Sequence, residues 1–273
     1  MAANFPYTAR STCFGSRVFD SHIIDRVSFV SDGFEIVGWV MRPSGAGPYP
    51  VIIYNHGSRV SPKGKANLDQ PTLSFATKPW RGVSTGKCLI FFPEGRGYAG
   101  SEGLKLTDCN SEVEIMSFLQ GRADDVHAGV DWLDAQSWAD TSRIGMTGCS
   151  HGAVVSLLAA PAGRCCSVIA QAPGASIIQP PIGMEQMVEA VLQTDARIVL
   201  QHAVDDILCP VEISRTLYRR GKQAGRDISL QEFPAMPGIE GHAQFNFENR
   251  AIWGAEFDAA LTDVVGGKAD TNH

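Results

Sequence analysis

Gly148-Cys149-Ser150-His151-Gly152 constrains this chain more than any other stretch of it. The apolar run Arg143 to Thr147 leads in and a run rich in Ala, Val and Leu, Ala153 to Ala160, leads out, so the pentapeptide reads as a strand turning abruptly into a helix. A chain folded back that sharply has no room for side chains two residues either side of the apex, and glycine stands at both places. The apex residue is forced into a strained backbone conformation, and its side chain, the hydroxyl of Ser150, projects over the end of the sheet. The pattern predicts a nucleophile there. It also requires the rest of the chain to supply an α/β framework, backbone N–H donors upstream, and an acid and then a histidine downstream.

The framework is legible. Residues 26–30 and 34–40 alternate apolar and polar around Ser31-Asp32-Gly33, which predicts a hairpin with one wet face at a sheet edge. Residues 49–54 and 87–92 are continuous apolar runs, as in strands buried on both faces. Further strands are expected at 143–147, 166–170, 196–204 and 228–233. Helical spacing marks 111–138, which Gly121 should split in two, and further helices are expected at 68–78, 153–160, 184–192, 211–223 and 249–265. Strands separated by helices imply βαβ crossovers and a mainly parallel sheet. No linker, repeat or low-complexity tract divides the 273 residues. One α/β domain over residues 1–273 is expected, with an irregular segment at 1–24 and a polar tail at 266–273.

Several functional classes are excluded. A net charge of −6 and no Lys/Arg cluster leave no basic surface for nucleic acid. Seven cysteines without regular spacing make neither a disulfide framework nor a zinc site, and suit a reducing, cytoplasmic compartment. There is no secretory signal pattern, and no apolar run approaches the roughly 18 residues of a membrane span. Neither a G-x-G-x-x-G opening a helix nor a G-x-x-x-x-G-K-[ST] loop occurs, so no nucleotide cofactor is expected.

The partners of Ser150 appear in the required order. Asp205 and Asp206 end the 196–204 strand, and since neighbouring residues point in different directions only one can serve a histidine. His242, between Gly241 and Ala243, follows the last strand. In such a set the histidine takes the serine proton during attack, and the aspartate fixes the imidazole tautomer and steadies the cation. The developing oxyanion needs backbone donors: the N–H of His151, directly after the nucleophile, and that of Ser58 in the Asn55-His56-Gly57-Ser58 loop. Cys149, one residue off the apex, cannot present its sulfur as the nucleophile.

Asn55 to Ser58, Arg96-Gly97-Tyr98-Ala99-Gly100-Ser101, Asp125 to Leu133, Arg143 into the elbow, Asp206-x-x-Cys209-Pro210 and Gly241-His242 together resemble the α/β-hydrolase superfamily. Its dienelactone-hydrolase and prolyl-oligopeptidase-like branch is the nearest in character, over residues 25–265. The resemblance implies an eight-stranded, mostly parallel sheet with helices on both faces and no large cap. It also implies a Ser150–His242–Asp206 triad without cofactor or metal, and hydrolysis of a small-molecule ester, lactone or amide. Asp206 is favoured over Asp205 because relatives place the acid four residues before the proline. Dienelactone hydrolases usually carry cysteine at the apex and a second glycine after the elbow, where Ser150 and Ala153 stand here. The expected activity is therefore a serine esterase or lactonase with an exposed site walled by residues 59–86 and 94–110. An aminopeptidase-like hydrolase, with Glu94 or Glu240 receiving a substrate ammonium, and a ligand-binding module on a hydrolase scaffold are the alternatives.

Overall fold

Neighbouring residues of the central strands are all apolar because each side of the sheet carries its own core. The computed structural model describes residues 14–19, 22–60, 65–72, 87–174 and 182–265. Among these, nine strands form one sheet: β1 (Phe14–Phe19), β2 (His22–Ser31), β3 (Phe34–Pro43), β4 (Tyr49–Asn55), β5 (Leu89–Pro93), β6 (Ala139–Cys149), β7 (Ser167–Gln171), β8 (Arg197–Ala203) and β9 (Ile228–Phe233). Helices α1 (Glu112–Asp134), α2 (His151–Ala159), α3 (Ile182–Gln193), α4 (Glu212–Gln223) and α5 (Arg250–Val265) cover it. Val51, Ile53, Leu89, Phe91, Val168 and Leu200 face the core under α1 to α4. Their strand neighbours Ile52, Ile90, Phe92, Ile169 and Val199 face Trp253, Phe257 and Leu261 of α5.

The order across the sheet is β1-β2-β3-β5-β4-β6-β7-β8-β9. Every pair from β5 to β9 is parallel, and the β1, β2 and β3 pairings are antiparallel. This is the α/β-hydrolase architecture, a mostly parallel sheet with helices on both faces. Between β7 and β8 the described residues hold only the 12-residue α3, and no large cap is evident among them. No described helix is long and apolar enough to cross a membrane.

Three expectations needed correction. β1 lies within the stretch read as irregular, and it pairs antiparallel with β2 outside the eight strands predicted from the sequence. The hairpin forms as predicted, with Asp32 (φ 50°) and Gly33 (φ 84°) both left-handed at its turn. Its wet face does not form, because β1 takes the edge position and α1 packs against β2. Nor does Gly121 break the helix. α1 runs unbroken through 23 residues from its cap at Ser111, whose Oγ accepts from the Glu114 N–H at 3.2 Å. A Cβ at 121 would stand 2.6 Å from Nη1 of Arg96, and that guanidinium is ion-paired at 2.8 Å to Asp125, one turn further along α1. The glycine costs the helix about 1 kcal/mol relative to alanine. It is needed to let the ion pair lie against the helix. The helix expected at 68–78 lies largely outside the described residues, as does the polar tail.

At the junction of β6 and α2 both glycines are required by contact with β4. A Cβ on Gly148 or on Gly152 would overlap the carbonyl oxygen of Asn55, which is backbone and cannot swing aside. Gly152→Ala is therefore expected to destabilise the fold by about 3 kcal/mol. Urea unfolding reads this directly, and a midpoint equal to that of the parent chain would contradict it.

Candidate active site

Ser150 occupies the apex with φ 59° and ψ −125°, a conformation that only over-determined surroundings maintain. Its N–H donates to Gln171 O on β7 at 3.0 Å, and its carbonyl accepts from Ala153 and Val154, so the turn is fixed on both sides. The Oγ lies 3.3 Å from Gly174 O. It stands on the wall of a pocket of about 840 Å³ that also exposes Tyr54, Gly57, Ser58, Arg59, His242, Phe245, Phe247 and Glu248.

His242 enters that pocket from a short 3-10 helix, Gly241–Phe245, capped by the Glu240 side chain on the Ala243 N–H. A Cβ on Gly241 would overlap the backbone nitrogen of Asp206, so glycine is what lets this loop seat against the turn after β8. There His242 Nδ1 and Asp206 Oδ2 are 2.8 Å apart. The other carboxylate oxygen, Oδ1, accepts from the N–H groups of Leu208 and Cys209 at 2.9 and 2.8 Å. Burial pushes the Asp206 pKa up, but the hydrogen bonds from His202 and His242, the His242 charge and the Cys209 N–H outweigh it and hold the group well below the usual carboxylate range. Asp205 is directed elsewhere, 3.5 Å from Gln244 Nε2.

His202 lies inside a strand, where the sequence reading gives it no role. It is fully buried, with Nδ1 2.7 Å from Ser214 Oγ, Nε2 2.7 Å from Cys209 O and 3.5 Å from Asp206 Oδ2. It thus braces the loop that carries Asp206. A histidine three residues before a doubled acid is the signal that could have found it.

Of the two residues predicted to supply backbone donors, one follows Ser150 in sequence and the other shares its pocket. His151 is the first residue of α2, where N–H groups lack intrahelical acceptors and the helix dipole favours negative charge. Ser58 lines the same pocket as Ser150. The His151 imidazole points inward and is buried, and burial together with Arg122 and His242 lowers its pKa to about 3. It is a neutral structural ring.

Cys149 has its thiol pushed up to about 12, by burial first and then by Asp206, so it remains protonated at neutral pH. Cys109, Cys149, Cys165 and Cys209 are free thiols. Among those residues Asp206, Cys209 and His242 form the one cluster with metal-ligand atoms within 4.8 Å of one another. Its carboxylate and imidazole are already committed to each other.

The walls differ from those expected. Of the expected walls, Arg59 does line the pocket, residues 94–110 contribute nothing to it, and residues 61–64 and 73–86 are outside the described residues. Phe245, Asn246, Phe247 and Glu248, between the His242 loop and α5, form the far wall instead. Phe247 packs on Tyr54 with ring centroids 5.9 Å apart. Glu94 is fully buried and held by Arg59 at 2.6 Å and the Thr72 N–H at 2.7 Å, so it is unavailable to a ligand. Glu240 is engaged as a cap and by the Ile207 N–H. The pocket's own carboxylate is Glu248, which is exposed at the rim.

Residues 32–201 match the model of the X-Pro dipeptidyl-peptidase (S15) family. The chain belongs to that family. The match begins at the hairpin turn, runs through β3, the Ser58 loop and the elbow into β8, and stops before Asp206 and His242. Solved structures show the same fold at low identity. A cold-adapted esterase from an Arctic intertidal metagenomic library superposes with a TM-score of 0.70 at 14% identity, covering 93% of this chain and 99% of that one. A Klebsiella pneumoniae structure described as a dienelactone hydrolase gives 0.65 at 16%, covering 91% and 100%. Pyrococcus horikoshii acylaminoacyl peptidase gives 0.64 at 19%. This chain, 90% of it aligned, spans 42% of that peptidase's length. Family and neighbours place the chain among the α/β-hydrolases.

Proposed function

We propose that this chain is a serine hydrolase that cleaves a small or medium-sized carboxylic ester or lactone through an acyl-enzyme on Ser150. The observation that carries the reading is the convergence of three separately positioned residues. Ser150 is held at a strained apex on the pocket wall, His242 lines the same pocket, and Asp206 binds the far nitrogen of that histidine. With Nδ1–H donated to Asp206, Nε2 is the free base that takes the Ser150 proton as Oγ attacks the acyl carbon. The N–H groups of His151 and Ser58 receive the oxyanion. His242 then returns the proton to the departing alcohol, and water repeats the sequence to release the acid. A pocket of about 840 Å³ suits a small ligand, and the Tyr54 and Phe247 rings offer it an apolar wall.

The test is turnover of short p-nitrophenyl esters together with fluorophosphonate labelling mapped to Ser150. Absence of both sinks the proposal.

Amide hydrolysis is the second reading, favoured by the family match and by Glu248, a rim carboxylate able to meet a substrate ammonium. Under it, aminoacyl p-nitroanilides turn over at rates comparable with esters. Glu248→Gln then raises KM for them about two- to fivefold while leaving uncharged esters unaffected. Ester turnover alone decides for the first reading.

A further inference from the structure

Three successive carbonyls of the loop after β4 are drawn to one side. His56 O accepts from Arg122 Nη2 at 3.0 Å, Gly57 O lies 2.7 Å from His56 Nδ1, and Ser58 O accepts from the Tyr98 hydroxyl at 3.1 Å. The three donors form a buried cluster. His56 is 1%, Arg122 2% and Tyr98 0% exposed. The Arg122 guanidinium lies 5.0 Å over the Tyr98 ring, which meets the His56 ring edge-on at 4.5 Å. Among the described residues no carboxylate is within ion-pair distance of Arg122, and its Nε and Nη1 make no hydrogen bond. A buried cation kept without a carboxylate partner, donating to loop backbone, calls for a reason.

The planar trans peptide supplies it. In a trans unit the N–H points opposite to the carbonyl of the preceding residue, and both the His56–Gly57 and Gly57–Ser58 bonds are trans. With the His56 and Gly57 carbonyls held on the buried side, the N–H groups of Gly57 and Ser58 are turned away from it, toward the pocket that Gly57 and Ser58 line. The second of these is the oxyanion donor of the reading above.

The imidazole proton is the weak point of the device. Burial, Arg122 and Arg59 hold the His56 pKa well below its usual value, so the ring is neutral and carries one N–H. Two carbonyls compete for it: Gly57 O at Nδ1, and Glu94 O, 2.5 Å from Nε2. Arg122 Nη2 also stands 3.2 Å from Nε2. A guanidinium only donates, so its approach favours the lone pair on Nε2 and the proton on Nδ1, where it is donated to Gly57 O; the opposite tautomer gives the proton to Glu94 O and leaves Gly57 O without it.

We propose that Arg122 is a positioning residue of the oxyanion site: it fixes the His56 carbonyl and the His56 Nδ1–H tautomer, and so aims the Ser58 N–H at the reacting carbonyl oxygen. The proposal rests on the acyl-transfer reading of Ser150, and its test separates the two. Selective ¹⁵N labelling of histidine reports the His56 tautomer without any turnover, its signals assigned by their loss in His56→Asn. Nδ1–H is expected, and Nε2–H overturns the proposal. Arg122→Met, which keeps the bulk and removes the donors, should lower kcat for esters about 10- to 100-fold with KM changed less than about twofold, because the interaction lost is made in the transition state. Arg122→Lys should recover part of that kcat. A folded Arg122→Met protein with kcat within about threefold of the parent, or one in which KM alone rises, overturns the proposal while the esterase reading stands. Should Arg122→Met not fold, the parent tautomer and the kcat of Arg122→Lys decide. An unlabelled, inactive parent protein sinks the hydrolase reading, and the tautomer still tests the device.

Discussion

Ser150→Ala is expected to remove ester turnover by about 10⁶-fold in kcat, leaving only the background that binding and backbone donors supply. The size follows from the chemistry. Without Oγ there is no acyl-enzyme, and no neighbour can take over. Cys149, the adjacent thiol, is held protonated with its pKa near 12, and the Cys209 thiol is buried with its pKa pushed up by that burial. Fluorophosphonate labelling should vanish with the activity. A variant that keeps more than about one per cent of parent kcat would show that the nucleophile lies elsewhere. The same position makes a prediction about stability. Ser150 carries φ 59°, which costs a residue with a Cβ on the order of 1–3 kcal/mol in such sparsely populated regions. Ser150→Gly should therefore raise the unfolding midpoint even as it removes activity, whereas Ser150→Ala should not. If the two variants melt together, the apex stores no strain.

The elbow was legible in the sequence because its requirements are local. Gly148 and Gly152 are dictated by contact with one carbonyl of the neighbouring strand, and a serine centred between two such glycines fits a tight strand-to-helix turn and little else. The doubly apolar strands were legible for a similar reason: β4 and β5 show on every residue that both faces are covered. Asp206 and His242 could be placed at the right sheet edge from their position after β8 and β9. What chose Asp206 over Asp205 is the turn in which both Oδ1 and Oδ2 are engaged, and that geometry is set in three dimensions.

What escaped the sequence depends on contacts between distant segments. Gly121 looked like a helix breaker because propensity is all a single sequence displays, whereas its neighbour is Arg96, brought in from the loop after β5. The sequence reading assigns Phe245, Phe247 and Glu248 no role, and they become a wall only where the chain after His242 lines the same pocket as Tyr54 and Ser150. Arg122 gave no signal at all. A lone arginine on the buried side of an amphipathic helix takes on meaning only when the His56 carbonyl is seen beside it. The loop that could be guessed from His56-Gly57-Ser58 thus depends on an arginine 66 residues away in sequence.

The Asp206→Asn variant should lose about 10⁴-fold in kcat with its architecture intact. An amide at this place can still accept the Leu208 and Cys209 N–H groups through its oxygen, so the turn after β8 keeps its shape. Its NH₂, however, faces His242 Nδ1, which must then become the acceptor and leave the proton on Nε2, where the base is needed. Asp205→Asn is the control, since that carboxylate faces Gln244 and not His242, and turnover within about threefold of the parent is expected. Equal losses in the two variants would contradict the assignment. Acid unfolding offers an independent reading of the same group. Asp206 has its folded-state pKa depressed, so its contribution to stability is fully present above the unfolded-state value of about 3.9. That contribution is lost as the pH falls from there through the lower folded value, because the unfolded chain takes up the proton first. The parent chain should therefore lose stability more steeply than Asp206→Asn below about pH 4. Parallel acid limbs for the two proteins would mean that the carboxylate is not held ionised by His242 and His202, and would remove the electrostatic basis for assigning it the third place in the site.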